Sequence, residues 1–272
     1  MQQGTELDSL FQWLVGLVMP FLSMESRMAA LYLAATAVLV YGIWRLRGRR
    51  ERFLAFALPK SVYFHRSNWL DIKIFVVNAT LTISGVMAAL VFTPLVVSVV
   101  LTLLSAGASG DTQQAVQGWE WQLIATLVMV LSMDFCKYWA HYIHHEWRAL
   151  WPFHAVHHSA EVLTPLTAGR NHPVFLIIRS VIYSLVLGCV QAVMLFLFVG
   201  QVDLLTIGGA NAGYVLFNLV GSNLRHSHVW LSYGPVLEHV FISPAQHQIH
   251  HSRAVRHHNK NYGEIFAFWD WM

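Results

Sequence analysis

Apolar residues in this chain gather into long runs separated by short polar stretches, a pattern that predicts helices long enough to cross a bilayer. Five runs, at residues 28–44, 74–104, 121–140, 174–199 and 204–220, reach or approach the required length. A spanning helix needs about 20 apolar residues to cross roughly 30 Å of hydrocarbon. The second run suits either one tilted helix bent at Pro94 or a short re-entrant pair. An earlier run, residues 10–22, is short, ends beside Pro20 and reads as a helix lying in the membrane interface. The predicted fold class is all-α: a polytopic membrane helical bundle with a cytosolic helical cap. No tandem repeat or low-complexity tract divides the chain, so residues 1–272 are read as one domain, with stem helices in 1–133 and the chemistry in 134–272.

The polar stretches set the orientation. Residues 45–73 hold eight of the seventeen Lys and Arg, whereas residues 105–118 hold none. The positive-inside rule puts the first segment in the cytoplasm and the second outside. Threading the runs in alternation then places residues 141–173 and 222–272 in the cytoplasm too. Those two segments contain every one of the sixteen histidines except His65. Composition agrees with a bilayer: 56% of residues are hydrophobic and only 11% are charged, against about 25% charged in soluble domains. The net charge of +3 sits in one stretch rather than on a readable face, which argues against a nucleic-acid partner. Cys136 and Cys189 lie in apolar runs and make no disulfide framework or thiolate metal site. Glu6 and Asp8 precede the first apolar run, unlike a cleaved signal peptide.

The histidines carry the candidate chemistry. His-x-x-His-His occurs three times: His141, His144, His145; His154, His157, His158; and His247, His250, His251. Three copies far exceed chance. On an α-helix, positions i, i+3 and i+4 share a face, so each triplet can aim imidazoles at one point, and imidazole suits iron, zinc and copper. One ion cannot take so many nitrogens, but two neighbouring ions can. The expected ligands are His141, His145, His154, His157, His158, His247, His250 and His251, with His144 lying off the axis of its triplet. His226 and His228 leave the last apolar run at the same membrane face and join the candidates. Residues two apart do not share a helical face, so both would bind only on irregular backbone. His172 is either a ligand or an outer hydrogen-bond partner; His65, His239, His257 and His258 read as surface residues. Asp134, a carboxylate inside an apolar run, is costly there unless paired. It either forms an ion pair with Lys137 or accepts the free N–H of a ligand histidine.

Several segments together resemble the fatty acid hydroxylase and sterol desaturase superfamily. They are Asp134-Phe-Cys-Lys-Tyr-Trp-Ala-His141-Tyr-Ile-His-His145, Leu150-Trp-Pro-Phe-His154-Ala-Val-His157-His158-Ser159-Ala-Glu161 and Arg170-Asn-His172-Pro173. Ser243-Pro-Ala-Gln-His247-Gln-Ile-His250-His251-Ser252, Asn261-Tyr-Gly263 and Trp269-Asp270 complete the set. The resemblance covers about half the chain. It implies two iron ions held by histidines, with zinc as a substitute in purified protein, and dioxygen as co-substrate. It further implies a membrane lipid such as a sterol or fatty acyl chain, hydroxylated or desaturated. Electrons would come from a ferredoxin or a b-type cytochrome with an NAD(P)H reductase, since the chain has no Gly-x-Gly-x-x-Gly fingerprint and no cysteine set for an iron–sulfur cluster. Two departures stand out. Many members carry a histidine just after the last span, where this chain has Gly221, and His226 or His228 is expected to replace it. Members also continue beyond Trp-Asp, whereas this chain stops at Met272, which suggests a shortened chain. Two other readings use the same histidines: a b-type haem protein, which needs them in pairs within spans, and a metal transporter, which needs them near the midplane.

Overall fold

A computed structural model of the protein describes residues 2–108, 114–115, 118–199, 204–207 and 210–272, and among these the regular structure is almost all helical. From the N-terminus run α1 (Gln2–Leu22), α2 (Ala30–Leu46), two short pieces α3 (Phe53–Ala57) and α4 (Lys60–Tyr63), and α5 (Ser67–Ile83). Then follow α6 (Thr93–Gly107), the long α7 (Trp119–Glu146), α8 (Trp151–His158) and the long α9 (Pro173–Leu197). Three short helices close the chain: α10 (Ala212–Leu219), α11 (Gly234–Leu237) and α12 (Pro244–His250). The segments Ala88–Gly107, Trp119–Glu146 and Pro173–Leu197 are long and apolar enough to cross a membrane.

Of the five expected runs, 74–104 takes the second of its two expected forms, a pair, and 204–220 takes a form not expected. The run at 74–104 is not one helix but a pair, broken after Ile83 where Gly85 adopts a φ of +79° that side chains resist. Pro94 opens α6 rather than bending it, because a first-turn residue has no intrahelical N–H bond to lose. The broken backbone is satisfied from α9: Phe92 N donates to Ser184 Oγ at 3.2 Å, and Ser180 Oγ donates to the Leu90 carbonyl at 3.3 Å. α6 then packs closely along α9 at Gly188, where a Cβ would lie 2.6 Å from the Val96 side chain.

The run at 204–220 is not a helical span. It forms a two-residue hairpin, Thr206–Ile207 with Ala210–Asn211, and then the eight-residue α10. The sequence Ile207-Gly-Gly-Ala-Asn-Ala-Gly explains this, since glycine weakens a helix interior and Asn211 caps a new start by accepting from Gly213 N and Tyr214 N. Backbone groups away from water must find partners, and Leu205 N does so by donating to Thr126 Oγ1 of α7 at 2.8 Å.

Contacts place the basic stretch and the histidine segments at one end of the bundle. Arg47 donates to the Trp230 carbonyl, His228 meets the Phe56 carbonyl, and Ser67 receives Arg170. The opposite end is marked by a parallel pairing of Gln114–Ala115 with Phe198–Val199. Much of the cation-free loop 105–118 lies outside the described residues.

One buried network fixes the cap to the stem. Arg170 (1% exposed) and Asp71 (0%) form an ion pair between α5 and the turn Pro165–Gly169. Arg170 also donates to the Ser67 carbonyl and hydroxyl at 2.7 and 2.8 Å, and Thr167 Oγ1 donates to Asp71 at 2.8 Å. Every strong donor and acceptor in this pair is used, the condition under which a buried ion pair is tolerated.

Candidate metal centre

Each histidine triplet sits where local sequence holds its helix in register. His141 and His145 end α7, one turn apart. α8 begins with Pro152 in its first turn and presents His154, His157 and His158. α12 starts on a capping box: Ser243 Oγ accepts from Gln246 N at 3.2 Å, and Gln246 Oε1 accepts from Ser243 N at 2.8 Å. That cap, with Pro244 behind it, aims His247, His250 and His251 inward.

The imidazoles gather into two neighbouring groups. The first comprises His141, His145, His154, His158 and His250; the second comprises His157, His226, His247 and His251. Within each group one nitrogen per ring lies within 4.8 Å of all the others. The second and third triplets are shared between the groups: His154 and His158 serve one and His157 the other, while His247 and His251 serve one and His250 the other. Residues four apart therefore meet one point and the residue between them meets the next, which puts two centres side by side. The stacked His158 and His251 rings, 4.6 Å apart, lie at the boundary.

Distances in the second group show what the arrangement can hold. His226 Nε2 lies 3.2 Å from His157 Nε2 and 3.1 Å from both His247 Nε2 and His251 Nε2, and the last two are 3.2 Å apart. Hydrogen bonds cannot satisfy such a cluster, because each neutral ring has one N–H and several lone pairs would face one another. Nitrogens about 2.0–2.1 Å from a common ion at 90–110° stand about 2.8–3.4 Å apart, which matches. In the first group His145 Nε2 and His158 Nε2 are 3.1 Å apart, and the buried Nε2 atoms of His141, His154 and His250 have no hydrogen-bond partner. The residues therefore fit two transition-metal ions, with imidazole as the donor throughout.

Outer contacts orient these rings. His141 Nδ1 meets the Tyr262 carbonyl at 2.8 Å and His250 Nδ1 the Lys260 carbonyl at 2.6 Å, as metal-binding histidines commonly do. Asn259 and Asn261, at φ of +54° and +59°, turn the chain so that those carbonyls point inward. Asp270 accepts from Tyr262 N and Gly263 N at 2.7 and 3.1 Å, and a Cβ at Gly263 would collide with the Phe266 carbonyl. The Arg225 guanidinium lies against the His247 ring, its Nη2 2.9 Å from Nδ1. The partners at Lys260 and Tyr262 act through backbone carbonyls, which no residue pattern announces. Arg225 stands one place before His226, where no spacing pattern marks it.

Three sequence-derived expectations change, those for His228, His172 and Asp134, whereas His144 lies off the centre as expected. His228 does not reach either group: the turn Ser222–His226 ends at His226, and extended Ser227 swings the next side chain away, where its Nε2 meets the Phe56 carbonyl at 2.7 Å. His172 is a helix cap, its Nδ1 accepting from Val174 N at 3.2 Å, rather than a partner of the centre. Asp134 neither pairs with Lys137, which binds Glu264 at 2.6 Å, nor touches a ligand histidine. Instead it accepts from Ile265 N, Phe266 N and Trp269 Nε1 at 2.8, 3.0 and 2.9 Å, pinning the C-terminal segment. His144 is fully buried but turns its Nδ1 to the Ala140 carbonyl at 2.6 Å, outside both groups. His226 does join the second group, as expected of a replacement for the histidine absent at position 221. Gly221 itself has φ of +109° and faces Leu39, Leu224 and Leu231, so a histidine at that position would meet an apolar cluster.

Asp134→Ala should strip acceptors from three donors, at about 1–3 kcal/mol for each left buried and unsatisfied. Hydrogen exchange at the Ile265 and Phe266 amides should speed up markedly, with Asp134→Asn between mutant and parent. Unchanged protection in the alanine variant would refute the pinning role.

Acid sensitivity should follow from burial. Desolvation pushes the pKa values of His154, His226, His247, His250 and His251 well below the ordinary 6.5, and that of His157 to about 4. Rings neutral when folded but charged when unfolded contribute stability that is complete above pH 6.5 and lost as pH falls through and below that value. Protons also compete with metal for the same nitrogens. The melting temperature and metal retention should therefore both drop between pH 7 and pH 5, and a flat profile would contradict the buried-neutral arrangement.

With this geometry in hand, the relatives fall into line. Over 152 residues the chain is 30% identical to an ornithine lipid hydroxylase of Rhizobium tropici, covering 56% of this chain and 41% of the relative. It is 30% identical over 140 residues to the human alkylglycerol monooxygenase, covering 52% and 28%. It is 25% identical over 222 residues to a Delta(7)-sterol 5(6)-desaturase of Gibberella zeae, covering 80% and 55%. These alignments span about half or less of the relatives' own lengths. No solved structure matches. The sequence profile of the fatty acid hydroxylase family matches residues 126–272, more than half of the chain and every residue of both histidine groups, and the chain belongs to that family.

Proposed function

We propose that this protein is a membrane-bound oxidoreductase that uses dioxygen to hydroxylate or desaturate a lipid at two iron ions. His141, His145, His154, His158 and His250 would hold one ion, and His157, His226, His247 and His251 the other. The observation that carries this reading is the pair of interlocked histidine groups, which lies wholly within the family's matched region. Bound iron would supply dioxygen activation, the chemistry that an unactivated C–H bond requires. The chain's own part is to fix the rings, keep bulk water from the buried nitrogens and admit a lipid from the bilayer. An external donor, a ferredoxin or a b-type cytochrome with an NAD(P)H reductase, would supply electrons. The basic residues at 45–73 support a multi-pass topology with the histidine end in the cytoplasm. The rival haem reading fits poorly, since a flat porphyrin needs two opposed rings rather than nine converging ones.

The experiment is purification from iron-supplemented cells, metal analysis and comparison of lipids from a deletion strain with wild type. Close to two transition-metal ions per chain and one lipid class lacking its oxidised form are expected. A well-folded protein with at most one ion, or unchanged lipids on deletion in cells that express the protein, would overturn the proposal.

A further inference from the structure

Two cavities meet beside the metal centre. The outer one, about 660 Å³, lies between α1, α5, the turn Pro165–Gly169 and α9, and is walled largely by apolar side chains such as Met19, Phe75, Ile83 and Leu176. The inner one, about 120 Å³, faces His141, His154, His157, His226 and His247. Arg27, Ala168, Asn171 and Arg179 belong to both walls and so frame the passage between them.

Among the described residues neither arginine in that frame has a carboxylate within ion-pair distance, although Glu25 lines the outer cavity and Glu264 the inner one. Arg179 is the one charged residue of α9. Its one marked contact is the Phe175 ring, 6.0 Å from the guanidinium carbon. Arg27 donates only to neutral acceptors, the Ser222 carbonyl at 2.7 Å and Asn223 Oδ1 at 3.3 Å. Of the other cations facing the inner cavity, Lys137 pairs with the Glu264 carboxylate, and Arg225 donates to the Gly263 and Glu264 carbonyls. A guanidinium held among apolar walls is costly without an anion, and its planar fork suits carboxylate or phosphate.

We propose that Arg179 and Arg27 bind the acidic group of the lipid substrate at the passage between the cavities, so that the carbon oxidised lies in or close to the headgroup. This inference rests on the reading of the centre as a lipid-oxidising site. Two dimensions favour it over oxidation midway along an acyl tail. The Phe175 ring centre is 5.0 Å from that of His154, so with the 6.0 Å above, at most 11 Å separates the Arg179 guanidinium from the His154 ring. The inner cavity, about 120 Å³, is much smaller than the outer one of about 660 Å³. A headgroup or a few carbons fit there; the tail belongs in the outer, apolar cavity.

Binding of hexadecanoate, hexadecyl phosphate and hexadecanol to the purified, metal-loaded protein in neutral detergent tests this. At least one anion should bind tenfold or more tightly than the alcohol. Preference for hexadecanoate would assign a free-acid-type group and preference for the phosphate a phospholipid-type group. Arg179→Gln should erase the preference while leaving hexadecanol affinity and metal content unchanged, and Arg179→Lys should keep part of it. Equal binding of alcohol and anions by the parent protein overturns the inference without any variant, as does an Arg179→Gln protein that keeps the anion preference. A protein that holds two metals and oxidises an uncharged lipid while ignoring the acids overturns this inference alone. One that holds two metals and oxidises no lipid overturns the functional reading beneath it.

Discussion

His226→Ala is expected to lose metal and lipid oxidation together, whereas His228→Ala, two residues further on, should keep both. His226 Nε2 approaches three other Nε2 atoms within 3.2 Å, so it is the hub of a four-membered group that has no spare member. Ligands around a common centre act as a unit. The loss should exceed the roughly 10–100-fold that follows removal of an outer partner. His228 instead bonds the Phe56 carbonyl and lies between the Phe56 and Tyr63 rings, so its loss should cost packing but no metal. Metal analysis and turnover on the two purified variants decide the matter. A His226→Ala protein with two ions and full turnover would dissolve the second group.

Arg170→Ala should be among the most destabilising single changes outside the histidines, although Arg170 ligates nothing. Its removal leaves the Asp71 carboxylate, 0% exposed, without its counter-charge, and breaking a buried pair in this way costs about 3–5 kcal/mol. Asp71→Ala should cost a similar amount from the other side. The double variant Arg170→Met, Asp71→Leu should be less damaged than either single alanine, because no uncompensated charge remains. Thermal unfolding in detergent gives the comparison. Additive losses in the double variant would mean that the pair is not the source of the stability.

The histidine triplets were legible because their chemistry is tied to helical spacing, and helical spacing survives in sequence. What spacing left open was which member of a triplet meets which ion. That depends on the angle at which α7, α8 and α12 converge, and it explains why His144 falls out while His157 and His250 serve different centres. The pair at His226 and His228 could not be resolved either, since the choice lies in the backbone of Ser227. Apolar runs at 121–140 and 174–199 did become long helices. Hydropathy left 74–104 open between one helix and a pair and misjudged 204–220, because glycines and an asparagine cap redirect a backbone whose side chains are equally apolar. Asp134 was recognised as a costly carboxylate, but its partners lie more than 130 residues away along the chain, beyond the reach of any local pattern.

The distribution of ligands between segments also sets an order of events during biosynthesis. The first group requires His250 and the second requires His251, so neither is complete until translation has passed those codons. The carbonyls that orient His141 and His250 come later still, and the Asp134 clamp closes only on residues 265–269. By then α6, α7 and α9 have already left the ribosome. The proposed metal capture would therefore act on a chain whose apolar helices are already made, and the ions would have to reach it from the side on which the histidine end lies.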